Sequence, residues 1–244
     1  MALLRVEYPS KVLEMHTVFQ VVLPDEGDLS GAKVVYLLHG LTDNCTGWTR
    51  YSSCERYARE QGVVLVIPEV QRSFYIDGVY GLRYFTYVSQ ELPAACQRMF
   101  GLSGERSLNY VMGLSMGGYG ALKCALTFPE KYAGCGSFSG VTDLDAFLHR
   151  QALPMRGEEF TALLGPEHKV EKENDLTALA REVKNPPFVY LSCGEQDVHY
   201  PMNCAFAEEL TRLKIPHRFD HRTGEHSWDF WDQSIRDCFQ CLFA

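Results

Sequence analysis

From position 109 the chain reads Asn109-Tyr110-Val111-Met112-Gly113-Leu114-Ser115-Met116-Gly117-Gly118-Tyr119-Gly120-Ala121-Leu122-Lys123. Asn109 to Leu114 has the length and apolar content of a buried strand, and Gly118 to Thr127 has the character of a helix. A serine stands between them, with a glycine two residues away on each side. A strand that turns this sharply into a helix forces its apex residue into a strained backbone conformation, so those neighbours must be small. Gly113 and Gly117 supply that room. The helix starting beside the serine also aims its first amides at any negative charge that develops there. In this setting Ser115 reads as an activated nucleophile rather than as part of a chance glycine-rich turn.

Outward from this turn, short β-rich runs alternate with longer helical ones. Met15 to Leu23 reads as a strand, as do Val34 to Leu38, Val63 to Ile67, Cys135 to Ser139 and Phe188 to Ser192, with a weaker alternating run from His217 to His221. Several are almost continuously apolar, as strands covered on both faces must be. Helical patterns occupy Gly118 to Thr127, Met202 to Leu213 and Trp228 to Phe243. The alternation predicts one α/β domain over residues 1–244, with a mostly parallel central sheet and helices on both faces. Ligands of such sheets bind beyond the carboxyl ends of the strands, which places the residues after Leu38, Leu114, Ser139 and Ser192 at the active edge. Residues 141–187 show no convincing strand and read as a small helical insertion, in which Asn174 or Asp175 can cap a helix ending near Glu182.

A serine nucleophile on such a turn is the mark of the α/β-hydrolase fold, in which the acid and the base follow it in the order Ser, Asp or Glu, His. After Phe188 to Ser192 comes Cys193-Gly194-Glu195-Gln196-Asp197, which offers two carboxylates. Asp197 is preferred, because the turn at Gly194 leaves Glu195 near the strand exit and solvent. The base is His226, in Thr223-Gly224-Glu225-His226-Ser227-Trp228, a loop ahead of the last helix. His217 and His221 lie within a strand whose packing fixes their direction. His39 precedes the nucleophile and reads as a histidine bracing its own loop. In His39-Gly40-Leu41-Thr42-Asp43-Asn44, Gly40 permits the turn that aims the Leu41 amide inward. The amides of Leu41 and Met116 then form the expected oxyanion hole. His226 takes the Ser115 proton, and Asp197 holds the imidazole tautomer.

The composition is that of an ordinary globular chain: 244 residues, 46% apolar and 22% charged, with a net charge of −8. No basic run invites nucleic acid or an anionic membrane surface. No segment reads as a secretory signal or a membrane span, and the nine cysteines form no CxxC pair. These features predict a cytoplasmic protein with reduced thiols. No metal cluster or nucleotide motif appears, and the chemistry of a serine triad requires no cofactor.

Together, Tyr36-Leu37-Leu38-His39-Gly40-Leu41, Gly113 to Gly120, Ser137-Phe138-Ser139-Gly140, Cys193 to Asp197 and Glu225-His226-Ser227-Trp228 resemble the tributyrin esterase group. That group belongs to the esterase D family, with acetyl-xylan, feruloyl and S-formylglutathione hydrolysing relatives. The resemblance spans Val6 to Leu242 and carries the triad onto Ser115, Asp197 and His226. It implies a carboxylesterase for short acyl chains or small aromatic esters. The S-formylglutathione hydrolases usually have Gly-His-Ser-Met-Gly where this chain has Leu114, and Ser-Tyr-Tyr where it has Ser227-Trp228-Asp229. They are therefore the second choice, beside an acyltransferase using the same nucleophile; a non-catalytic binding domain has no support in the sequence. The expected partner is a small-molecule ester, with homo-oligomerisation left open. Gly40, Trp48, Tyr75, Tyr80 and Trp228 are the candidate substrate contacts, the aromatics because they fall in loops expected at the active edge.

Overall fold

The computed structural model describes residues 1–150 and 157–243. Its eight strands form one sheet: β1 Ala2–Ser10, β2 Met15–Leu23, β3 Lys33–Leu38, β4 Val63–Pro68, β5 Asn109–Leu114, β6 Gly134–Phe138, β7 Phe188–Gly194 and β8 His217–Arg222. They lie in the order β1-β2-β4-β3-β5-β6-β7-β8. β1 and β2 pair antiparallel, as do β2 and β4, and all later pairs are parallel. This is the mostly parallel sheet of the α/β-hydrolase fold.

The alternation of side chains within each strand divides the core in two. Val34, Tyr36 and Leu38 of β3 face one apolar cluster, and Val35 and Leu37 face the other. The first cluster is closed by α4 (Leu92–Phe100), α5 (Met116–Thr127), α8 (Leu176–Glu182) and α9 (Tyr200–Arg212). α2 (Cys54–Gln61) and α10 (Trp228–Phe243) close the second, through Tyr57, Trp231, Ile235 and Phe239. A strand covered on both faces needs apolar residues at every position, which is why β4 and β5 are buried from end to end.

Three departures from the sequence expectation have physical causes. β1 went unforeseen because it is an edge strand whose residues are mostly exposed or half-buried, so it lacks the apolar run of its neighbours. The helices α1 (Gly47–Tyr51) and α2 are short, and the run α3 (Tyr84–Thr86), a π-helical turn (Tyr87–Glu91) and α4 is aromatic-rich, which masked its period. The helix after Ser115 begins at Met116, two residues earlier than Gly118.

The expected helical insertion is present as α6 (Leu144–Leu148), α7 (Gly157–Leu164), a 3₁₀ turn (Lys172–Asn174) and α8; residues 151–156 of it lie outside the described residues. Asp175 is the cap of α8, accepting from the amides of Thr177 and Ala178. No helix among the described residues is long and apolar enough to cross a membrane. All nine cysteines are free thiols.

Candidate active site

The site grows from the end of β5. Ser115 stands at φ 53° and ψ −116°, a conformation rarely adopted by a residue with a side chain. It is held by its own amide, which donates to Phe138 O at 2.8 Å, and by its carbonyl, which accepts from Tyr119 N at 3.1 Å. The two glycines permit this geometry for a steric reason. A Cβ on Gly113 would lie 2.4 Å from Gly117 O, and one on Gly117 would lie 2.4 Å from Leu38 O. Any larger residue would push the turn away from β3 and from the helix it starts.

Ser115 Oγ lies 3.0 Å from His226 Nε2, and His226 Nδ1 lies 2.8 Å from Asp197 Oδ2. The loop ahead of α10 brings His226 to the serine, and the turn after β7 brings Asp197 beneath the imidazole. Asp197 is almost fully buried. Burial alone would raise its pKa, but the hydrogen bond and charge of His226, together with the His199 amide and the Ser139 side chain, outweigh it and hold the carboxyl below its usual range. Its other oxygen accepts from His199 N at 2.8 Å, which fixes the carboxylate plane. The imidazole of His226 is walled edge-on by His199 and Trp231, each with its ring centre 4.8 Å away.

The rival groups are engaged elsewhere. Glu195 is exposed and pairs with His221 at 3.0 Å. His217 Nδ1 donates to Ile215 O. His39 is fully buried: Nδ1 donates to Gly40 O at 2.8 Å and Nε2 accepts from Val70 N at 3.2 Å. Burial lowers the His39 pKa, so the ring is a neutral brace for the loop after β3. On that loop the Leu41 amide donates to no protein acceptor among the described residues, and neither does the Met116 amide at the start of α5. Two unengaged N–H groups flanking a serine hydroxyl are what an oxyanion requires.

Ser115 and His226 open into a cavity of about 560 Å³ that also exposes Gly40, Leu41, Phe74, Val141 and Trp228. Of the candidate substrate contacts, Gly40 and Trp228 therefore line it. Trp48, Tyr75 and Tyr80 do not. Trp48 is fully buried, donating Nε1–H to Leu38 O at 3.0 Å and packing edge-on against Trp228. Tyr75 is likewise buried, its hydroxyl donating to His39 O at 3.0 Å, so both support the oxyanion loop from behind. Tyr80 is 68% exposed in a loop held by α7, outside the cavity. Aromatic residues in loops suggest a pocket, but here Trp48 and Tyr75 anchor their loops to the body and Tyr80 faces solvent.

The sequence reading missed Phe147, Arg150, Val198, His199 and Trp231, which all face the cavity. The available signals were faint: His199 lies two residues past Asp197, and Trp231 one helical turn past Trp228. His199 Nδ1 donates to Ser139 O at 3.0 Å, and burial, aided by the neighbouring His226, lowers its pKa to about 4. It is a neutral wall, not a second cation. Asp197, His199 and His226 offer ligand atoms within 4.8 Å of one another, close enough to hold a metal ion. The hydrogen bonds that Ser115, Ser139 and the His199 amide make with this group account for the arrangement without one.

Chemically, the arrangement pairs a hydroxyl with a base, a buried carboxylate behind the base, and two free amides beside the hydroxyl. That is the equipment for acyl transfer. A family model described as a putative esterase matches residues 10–240. An acetyl esterase of Caldicellulosiruptor saccharolyticus is 25% identical, with 99% of this chain and 98% of that protein covered. An S-formylglutathione hydrolase of Rattus norvegicus is 26% identical over 95% of this chain and 89% of its own length. The solved structure of FphF, a fluorophosphonate-binding serine hydrolase of Staphylococcus aureus, superposes with a TM-score of 0.92 at 30% identity, covering 100% of this chain and 98% of that one.

Proposed function

The chain belongs to the putative esterase family and is a serine ester hydrolase; on that premise we propose that Ser115, His226 and Asp197 are its catalytic triad. The observation that carries this reading is the unbroken chain of hydrogen bonds from Ser115 Oγ through His226 to Asp197. His226 removes the hydroxyl proton as Ser115 attacks the ester carbonyl. The amides of Leu41 and Met116 receive the oxyanion, and the protonated His226 gives its proton to the leaving alcohol. Water then repeats the sequence on the acyl-enzyme and frees the acid. Asp197 stabilises the imidazolium and stays ionised throughout, as its lowered pKa favours.

The substrates are esters of short acyl chains or small aromatic acids, in keeping with a largely apolar cavity of about 560 Å³ walled by Phe74, Phe147, Trp228 and Trp231. The likeness to the rat S-formylglutathione hydrolase favours a small thioester as a second substrate type, since the same triad serves both leaving groups. Free thiols throughout agree with a cytoplasmic location.

A fluorophosphonate probe tests the nucleophile. The wild-type protein should gain one adduct, located on Ser115 by peptide mass spectrometry. Ser115→Ala should abolish labelling and lower kcat on phenyl acetate by about 10⁴–10⁶. Labelling elsewhere, or turnover by that variant near the wild-type rate, would refute the assignment.

A further inference from the structure

We propose that the flank of the cavity beyond β6 is an anion subsite, in which Arg150 receives a carboxylate carried by the ester substrate. The inference rests on the ester-hydrolase reading above and names the kind of ester.

Arg150 follows α6 and lines the same cavity as Ser115 and His226. It is half-buried, and its backbone amide donates to Phe147 O at 3.3 Å. Its guanidinium makes no ion pair or hydrogen bond with any described residue. Residues 151–156, Gln-Ala-Leu-Pro-Met-Arg, contain no acid to pair with it either. In a chain with 31 acids against 23 lysines and arginines, an arginine left without a carboxylate in the cavity that Ser115 lines is a departure from the surrounding charge balance.

The other charges of the cavity are arranged to direct an anion to this place. Asp43, the cavity's acid beside the nucleophile, lies on the loop after β3, where its Oδ2 approaches Gly40. β5, which carries Ser115, stands between β3 and β6 in the sheet. Acid and base therefore lie on opposite flanks of the serine. A substrate carboxylate is repelled on the β3 side and attracted on the β6 side. His199, next along that side, is neutral and spends its Nδ1–H on Ser139 O, so it neither competes for the anion nor duplicates Arg150. Val141, Phe147 and Val198 supply apolar surroundings, in which a guanidinium–carboxylate pair is stronger than in open water.

The carboxylate can belong to the acyl or to the alcohol part, and matched substrates separate the two. Methyl hydrogen succinate against methyl butyrate places the charge on the acyl side. 4-Acetoxybenzoate against phenyl acetate places it on the leaving group. Hydrolysis is followed by pH-stat, with each kcat/KM normalised to the hydroxide-catalysed rate. The wild-type enzyme should favour the anionic member of one pair by about tenfold or more. Arg150→Gln should lower that anionic-to-neutral ratio by about 10- to 100-fold, with Arg150→Lys in between. A normalised ratio near one in both pairs of the wild type overturns the proposal without recourse to any variant. So does a ratio that Arg150→Gln leaves unchanged. Failure of the hydrolase reading looks different: neither neutral ester turns over and Ser115 takes no fluorophosphonate.

Discussion

At the scale of single residues, the site separates groups of the same type by what each can reach. Asp197 and Glu195 stand two residues apart, yet only Asp197 is buried against His226 Nδ1, at 2.8 Å, while Glu195 turns outward to His221. Asp197→Asn should lower kcat on phenyl acetate by about 10³–10⁴, because an amide opposite Nδ1 favours the wrong tautomer and leaves the imidazolium unsupported. Glu195→Gln removes an exposed ion pair and should change kcat less than about threefold. Steady-state kinetics on the two variants checks the ranking, and the reverse order would move the acid to Glu195. That Glu195 faces solvent was legible in the sequence because the turn at Gly194 follows the strand directly. Much of the pocket lining was not, because Phe147 and Arg150 come from a segment whose sequence carries no motif.

At the scale of elements, the junction between β5 and α5 does the most with the fewest residues. The positive φ of Ser115, the approach of the chain to Gly113 and the contact of Gly117 with Leu38 O are one arrangement seen from three positions. Gly113→Ala puts a methyl group 2.4 Å from Gly117 O, where the neighbour is backbone and cannot rotate away. The variant should lose about 3 kcal/mol or more of stability, measured by urea unfolding, and should react with fluorophosphonate much more slowly than wild type. Wild-type stability in that variant would contradict the packing argument. The sequence announced this junction because its constraints are local: two glycines, a strand and a helix within the nineteen residues from Asn109 to Thr127. It was silent on β1, α1 and α2, whose formation rests on what they pack against rather than on their own patterns.

For the whole molecule, the same burial that builds a two-faced core sets a pH limit. The thiols of Cys54, Cys96, Cys124, Cys135, Cys193 and Cys238 are buried, and burial pushes each well above its ordinary value near 9. In the unfolded chain they release protons from about pH 9 upward, while in the fold they keep them. Their contribution is thus fully present below pH 9 and is lost as the pH rises above it. Lys123 acts in the opposite sense. Its ammonium is buried on α5, bonded to Tyr75 O and Asn174 Oδ1, and desolvation lowers its pKa to about 8. Between pH 8 and 10.5 its release from charge adds stability, but it is one group against these six thiols and that of Cys45, raised to about 11 by burial. Net stability in reducing buffer should therefore fall by several kcal/mol between pH 8.5 and 10, read from urea midpoints. A flat profile over that range would contradict the burial of the thiols.

The strained turn at Ser115 and the parallel sheet were legible in short runs of residues, since such a turn and a buried strand each impose their demands over a few positions. The shape and charge of the cavity were not. They arise where the ends of β3, β5, β6 and β7 converge with the start of α10, from residues up to 191 positions apart in the chain, Gly40 to Trp231. Whether Tyr75 lines the cavity or props up the loop after β3, and whether Arg150 meets a carboxylate of its own chain or is left lining the cavity with Ser115, depends on which elements become neighbours. Only the packed sheet and helices supply that, because contacts between distant segments leave no period or spacing in the sequence.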